Sequence, residues 1–281
     1  MFVQIIKFLI YSGFIVIISK YLLVKVLRKL AEGLNLKAKT VGNITGLATS
    51  VPELLTISFS AYSGFMSASV YNVISSNIIN FVQYMASIFL NKNIRNLENT
   101  AIRVDLSLSI FTIIIPVLLI IFDIEVNLSI VPIFLLLFIA FYIISNNAHK
   151  LYLKFEDKKL QINIEYEKKW IKGKGKIIAK YSIYLVLISI GLFVVGDLLS
   201  DVLESLCVSF NVPEIIIGIL LGFITSIPEL ITFFESQKHY KKQKNEKLGV
   251  VESTNNLLTS NMINLFAIQS IAIIIYALIK A

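Results

Sequence analysis

The feature that most constrains this chain is a series of long apolar runs separated by short clusters of charge. A run of about 20 apolar residues crosses a hydrocarbon core of roughly 30 Å as a helix. Eight segments have that character, over residues 4–27, 40–63, 67–91, 102–122, 126–147, 178–206, 212–235 and 248–279. Lipid offers no hydrogen bonds, so the backbone must satisfy itself within each span, which the helix does. The pattern predicts an all-α integral membrane protein, a polytopic helical bundle of about eight transmembrane helices. Composition agrees: 16% of residues are charged and mean hydropathy is +0.79, whereas about a quarter of a soluble domain is charged. A soluble enzyme is disfavoured.

Lys and Arg beside helix ends stay on the cytoplasmic side. The first connection carries Lys25, Arg28, Lys29, Lys37 and Lys39, and the third carries Lys92, Arg95 and Arg103. Residues 148–177 hold nine lysines against four acids, and the seventh connection holds Lys238, Lys241, Lys242, Lys244 and Lys247. The alternate connections are short or acidic, with Asp123 and Glu125 in one and Asp197, Asp201 and Glu204 near another. Eight spans then alternate without conflict, and both termini are expected outside a cell membrane. The net charge of +8 is therefore a topology signal; no base-stacking aromatics are interleaved with it, and no nucleic-acid partner is expected. Cys207 has no second cysteine to pair with, and His149 and His239 both fall in basic stretches read as loops.

The expected organisation is a first repeat over 1–148 with five spans, a basic cytoplasmic linker over 149–177, and a second repeat over 178–281 with about three. The division rests on self-similarity. Residues 46–57 read GLATSVPELLTI and residues 222–233 read GFITSIPELITF; downstream, NVISSNIIN at 72–80 is matched by NLLTSNMIN at 256–264. An odd number of spans separates the two units, so they enter the membrane in opposite senses. Inverted repeats of this kind place an ion site at the midplane, on helices interrupted by Pro and Gly.

Glu53 and Glu229 most need explaining, because a carboxylate at a helix centre costs about 2.5–3.5 kcal/mol even on the lenient insertion scale. Facing carboxylates repel unless a cation lies between them or one holds a proton. Pro52 and Pro228 free backbone carbonyls. With the hydroxyls of Thr49, Thr225, Ser76 and Ser260 and the amides of Asn80 and Asn264, the set is all hard oxygen, suited to calcium rather than to copper, zinc or iron. For single serines the alternative is an interhelical hydrogen bond. Asn72 and Asn256 read as structural; for Asn77 and Asn261 both readings stay open.

With TSVPEL, TSIPEL and the two SN-x-I-N stretches in view, the sequence resembles the sodium/calcium exchanger family, within the wider cation/calcium antiporter superfamily. The resemblance implies ten helices in the family pattern and ions bound by four of them. It implies as ligands Thr49, Ser50, Glu53, Ser76 and Asn80 from the first repeat, and Thr225, Ser226, Glu229, Ser260 and Asn264 from the second. Gly46 and Gly222 match positions near carbonyls that the family uses. The chain departs from the pattern at Ala48 and Ile224, where the family has glycine before T-S, and at Tyr71, Ser75, Asn255 and Thr259, which replace flanking glycines. Asn264 stands where exchangers of this type commonly carry Asp, leaving two carboxylates, enough for one calcium, two sodium ions or two protons. Two helices of the family pattern are not matched after the eighth span, so the second repeat is expected to be short, with its flank covered by lipid, a partner subunit or a second copy.

The function expected is a secondary active antiporter exchanging calcium for sodium or protons by alternating access, with the ions as substrates and no cofactor. The alternative is a non-transporting family member acting as a membrane subunit or ion sensor. An intramembrane enzyme would need a base beside Ser50 or Ser226, and the sequence offers none. The Ile/Lys/Asn-rich composition points to a prokaryotic source.

Overall fold

The computed structural model describes residues 2–34, 36–153 and 174–280. Every regular element among them is helical. In chain order these are α1 (Phe2–Ile18), α2 (Val24–Leu34), α3 (Ala38–Thr49), α4 (Val51–Tyr62), α5 (Met66–Leu90), α6 (Thr100–Ile121) and α7 (Val131–Ala148). After the linker come α8 (Lys174–Phe210), α9 (Glu214–Thr225), α10 (Ile227–Lys242), α11 (Glu246–Met262) and α12 (Gln269–Lys280). A π-helical stretch, Ile263–Ile268, joins α11 to α12.

Six helical spans among the described residues are long and apolar enough to cross a membrane: Met66–Leu90, Thr100–Ile121, Leu128–Leu151, Ile178–Val202, Glu214–Lys242 and Glu246–Lys280. These coincide with six of the eight expected segments. The first expected segment, 4–27, overlaps a shorter apolar helix, Phe2–Ile15. The second is divided into α3 and α4, of 12 residues each, with Ser50 at φ −80°, ψ 2° between them. Most of the expected linker lies outside the described residues, but its first residues, His149–Leu153, extend α7 as a π-helical turn.

The two repeats interlock across one another. α3 of the first repeat lies against α11 of the second, while α9 lies against α5. Glycines make this close approach feasible. A Cβ on Gly46 would stand 2.7 Å from the Asn256 carbonyl oxygen, and one on Gly222 would stand 2.8 Å from that of Asn72. Gly42 and Gly218, one turn earlier, meet the Glu252 and Ala68 carbonyl oxygens in the same way, at 2.3 and 2.6 Å from an added Cβ. Each pair is a G-x-x-x-G, the spacing that lets membrane helices approach backbone to backbone. Overpacking typically costs about 1–3 kcal/mol, and here the obstacle is backbone. Gly222→Ala is therefore expected to lower the detergent-solubilised melting temperature by several degrees, whereas Gly191→Ala, with nothing within 4 Å of its added Cβ, leaves it unchanged.

Around this crossing lie two apolar layers. Ile15, Leu23 and Leu27 of the α1–α2 arm meet Ile188, Leu192 and Leu199 of α8, which rests on α4 through Leu55 against Gly196 and Phe59 against Phe193. On the other flank, Phe134 and Phe141 of α7 stack edge-on against Phe266. Pro116 inside α6 cannot donate to the Thr112 carbonyl. The Asn77 amide supplies that hydrogen bond at 3.3 Å.

Candidate ion-binding site

The T-S-x-P-E-L motif breaks a helix at the same point in both repeats. Thr49 and Thr225 end α3 and α9; Ser50 and Ser226 sit in the break; Pro52 and Pro228 start α4 and α10. Proline is tolerated in a first turn, where its missing N–H has no helical acceptor to serve. The helix before it loses that donor, so the Ala48 and Ile224 carbonyls receive no bond from it. Glu53 and Glu229 thus stand in the first turns of α4 and α10, where the helix dipole favours a negative charge. Both are completely buried.

The serines turn back and cross over. Ser50 Oγ donates to the Gly46 carbonyl at 2.9 Å and lies 3.0 Å from Ser260 Oγ of the other repeat. Ser226 Oγ reaches the Gly222 carbonyl at 2.7 Å and the Ser76 carbonyl at 3.4 Å. Ser260 Oγ lies 3.0 Å from Glu229 Oε1. The threonines also cross: Thr225 lies beside the Glu53 carboxyl and Thr49 beside that of Glu229, and the two carboxyls are close enough to interact.

α5, and α11 together with the π-helical stretch that follows it, each present a polar stripe at four-residue spacing, Asn72–Ser76–Asn80 and Asn256–Ser260–Asn264, all fully buried. Their amide nitrogens are directed at neighbours. Asn72 Nδ2 donates to Thr56 Oγ1 at 3.0 Å, and Asn256 Nδ2 donates to Thr232 Oγ1 at 2.6 Å. Asn80 Nδ2 donates to Asn261 Oδ1 at 3.2 Å, and Asn264 Nδ2 reaches Ser76 Oγ at 3.4 Å. Asn77 and Asn261 exchange bonds with each other's backbone carbonyls, both at 3.2 Å, and so tie α5 to α11.

The oxygens left over define the chemistry. Both Oε atoms of Glu53, Oε2 of Glu229, and the Oδ1 atoms of Asn72, Asn80, Asn256 and Asn264 are buried without a hydrogen-bond partner. Each unsatisfied acceptor costs about 1–3 kcal/mol. All are acceptors, and what satisfies buried oxygen acceptors together is positive charge. Among the described residues no group of three or more His, Cys, Asp and Glu gathers at one point, so the donor set is carboxylate, amide and hydroxyl oxygen. That set fits a hard cation such as calcium or sodium.

The model of the family described as sodium/calcium exchanger protein matches residues 5–146 and 180–281, both repeats and nearly the whole chain. The chain belongs to the sodium/calcium exchanger family. Comparison with curated protein sequences gives no match. Among solved structures, the sodium-calcium exchanger NCX_Mj is similar in several ionic conditions. Soaked with 100 mM Na+ and 10 mM Sr2+ it aligns at 19% identity and TM-score 0.56, over 98% of this chain and 83% of that one. With 10 mM Na+ and zero Ca2+ the values are 19%, 0.56, 98% and 84%; with zero Na+ and Ca2+ they are 20%, 0.53, 98% and 83%. The helical bundle with inverted repeats is thus the fold of this family.

All ten sequence-expected residues of this exchanger-family chain converge on the crossing. Asn72 and Asn256, read from sequence as structural, each donate to a threonine and leave Oδ1 without a hydrogen-bond partner. Gly42 and Gly218 are the first members of the two G-x-x-x-G pairs, a spacing visible in the sequence. Two further buried carboxyls emerge. Glu252 extends the α11 stripe one turn beyond Asn256 and accepts from Ser236 Oγ at 2.5 Å. Asp105 of α6 pairs with His149 at 2.5 Å, and Asn255 stands 3.4 Å from the same imidazole nitrogen. His149 is therefore no loop residue: it continues α7 and is buried. His239 likewise lies in the last turn of α10.

Proposed function

We propose that this chain is a secondary active antiporter that exchanges calcium for sodium or protons by alternating access at the Glu53–Glu229 crossing. The observation that carries the reading is the gathering of unpartnered buried oxygens, both repeated carboxyls among them, at the point where the two inverted repeats interlock. The ligand set comprises Glu53, Thr49, Ser50, Ser76 and Asn80 with Glu229, Thr225, Ser226, Ser260 and Asn264. Two carboxylates neutralise one calcium, two sodium ions or two protons, so these ions compete for the same charge and exclude one another. That competition is the coupling. The relative NCX_Mj is described as a sodium-calcium exchanger with extracellular ion exchange and induced binding-site occlusion.

The moving part in this reading is the outer pair, the α1–α2 arm with α8, which rests on α4 through apolar contacts that tolerate sliding. Repeats 1–148 and 178–281 supply the two halves of the core, with both termini outside and the basic loops in the cytoplasm. Lipid, a partner subunit or a second copy covers the flank of the second repeat.

Calcium titrated calorimetrically into the purified protein tests the shared site. Binding is expected to weaken as sodium is added and as pH falls. Calcium binding indifferent to both would contradict competition and favour a non-transporting ion sensor.

A further inference from the structure

The buried Asp105–His149 pair lies outside the ion-binding set. Asp105 Oδ2 of α6 meets His149 Nε2, at the end of α7, at 2.5 Å, and Asn255 Nδ2 of α11 lies 3.4 Å from the same ring nitrogen. Asp105 is 0% exposed and His149 6%. Asp105 Oδ1 and His149 Nδ1 are both buried without a hydrogen-bond partner. A neutral imidazole keeps one bare ring nitrogen, so the pair has room for one more proton. Histidine is also the side chain whose charge changes most readily between about pH 5 and pH 8.

Other charges surround the pair. Lys39 of α3 donates to the Ser145 carbonyl at 3.5 Å, one helical turn before His149 on α7, and interacts electrostatically with both Asp105 and Lys150. Tyr84 of α5 also feels the Asp105 charge, but a phenol does not titrate near neutral pH. One carboxylate thus stands among two lysines and a histidine.

The other crossing provides the contrast. α3 matches α9 and α11 matches α5 in the two repeats, and both crossings bring glycines against backbone carbonyls. Ile215 stands on α9 where α3 has Lys39, and Tyr71 stands on α5 where α11 has Asn255. Close packing of the repeats therefore does not require polar groups at these positions.

We infer that Asp105 and His149 form a proton-binding site, separate from the Glu53–Glu229 crossing, that sets the rate of exchange by deciding whether Asp105 serves His149 or Lys39. This rests on the antiporter reading above. A proton taken up by His149 makes its bond to Asp105 charge-assisted on both sides, which strengthens it. The single negative charge is then held by the imidazolium, and Lys39 is left facing the like charges of His149 and Lys150. Lys39 stands in the first turn of α3, and that helix of 12 residues ends at Thr49 beside Ser50. Asn255 stands on α11, five residues before Ser260. Repulsion of Lys39 thus disturbs the α3–α11 packing that carries ion ligands from both repeats, and exchange slows in acid.

The test is exchange of calcium-45 for unlabelled calcium in proteoliposomes, with equal calcium and equal pH on both faces. This reads alternating access whichever ion is the counter-ion. Proton competition at the crossing raises the calcium concentration for half-maximal exchange and is overcome by calcium, whereas the proton site lowers the maximal rate. That rate is expected to fall about fivefold in the wild type from about pH 8 to about pH 6, at the lower end of the usual coupling between linked sites. His149→Gln keeps a donor for Asp105 and does not titrate; Lys39→Met leaves the pair intact and removes the competing cation. Each is expected to flatten the fall while the competitive shift persists. A wild-type maximal rate independent of pH, or a fall retained in either variant, overturns the proton site and leaves the antiporter intact. Wild-type vesicles that exchange no calcium overturn the antiporter reading and the proton site's role with it.

Discussion

Glu53→Gln and Glu229→Gln, each alone, are expected to reduce sodium-driven calcium-45 uptake at least 100-fold while leaving a folded protein. Glutamine keeps the size and one carbonyl oxygen of the carboxylate, so packing beside Ser260 and Thr225 survives. What disappears is one of the two negative charges that offset a divalent ion in a fully buried site. Leaving a buried charge uncompensated costs about 3–5 kcal/mol, and a tenfold effect corresponds to about 1.4 kcal/mol, so the loss reaches two to three powers of ten. Removing one of two mutually repelling carboxyls relieves strain in the ion-free protein. The same variants should therefore melt no lower than the wild type. Uptake within a few-fold of wild type in either variant would show that the charge pair does not hold the transported ion.

The second large effect is on stability, away from the crossing. His149→Ala is expected to destabilise the protein by about 3–5 kcal/mol, because it leaves the Asp105 carboxylate buried without its imidazole partner. Asp105 is completely buried, and the pair joins α6 to the end of α7, with Asn255 of α11 reaching the same nitrogen. Asp105→Asn keeps a hydrogen-bond acceptor for His149 and no charge, so its loss should be nearer 1 kcal/mol. Thermal unfolding in detergent separates the cases. A His149→Ala protein that melts with the wild type would mean that the nearby Lys39 ammonium already compensates Asp105.

The difference between these two regions shows what the sequence makes legible. The crossing carries its own signature: a carboxylate in an apolar span is expensive, a second one in the same T-S-x-P-E-L context is not coincidence, and proline announces the broken helix. The spans follow from hydropathy in the same way, although the run over 40–63 resolves into two short helices because Ser50 and Pro52 interrupt it. His149 was hidden by its neighbours. It follows an apolar helix and precedes a lysine-rich stretch, so local composition assigns it to a loop, whereas the helix continues and buries it against Asp105. Asp105 and Glu252 were hidden for a related reason. Each is unrepeated in the other half of the chain, and only tertiary packing supplies its partner. Gly42-x-x-x-Gly46 and Gly218-x-x-x-Gly222 state that α3 and α9 each have a close neighbour, but a small-residue spacing does not name it, and the pairing with α11 and α5 comes from the tertiary structure.

The most direct test of the exchanger reading is calcium-45 uptake by wild-type protein reconstituted in sodium-loaded liposomes, repeated with equal sodium on both sides and with a pH gradient replacing the sodium gradient. Uptake that follows the sodium or the proton gradient and vanishes at equilibrium is the predicted result, and the gradient that supports it identifies the counter-ion. Folded protein that takes up no calcium under either gradient would contradict an antiporter and leave the crossing as an ion-binding site without transport.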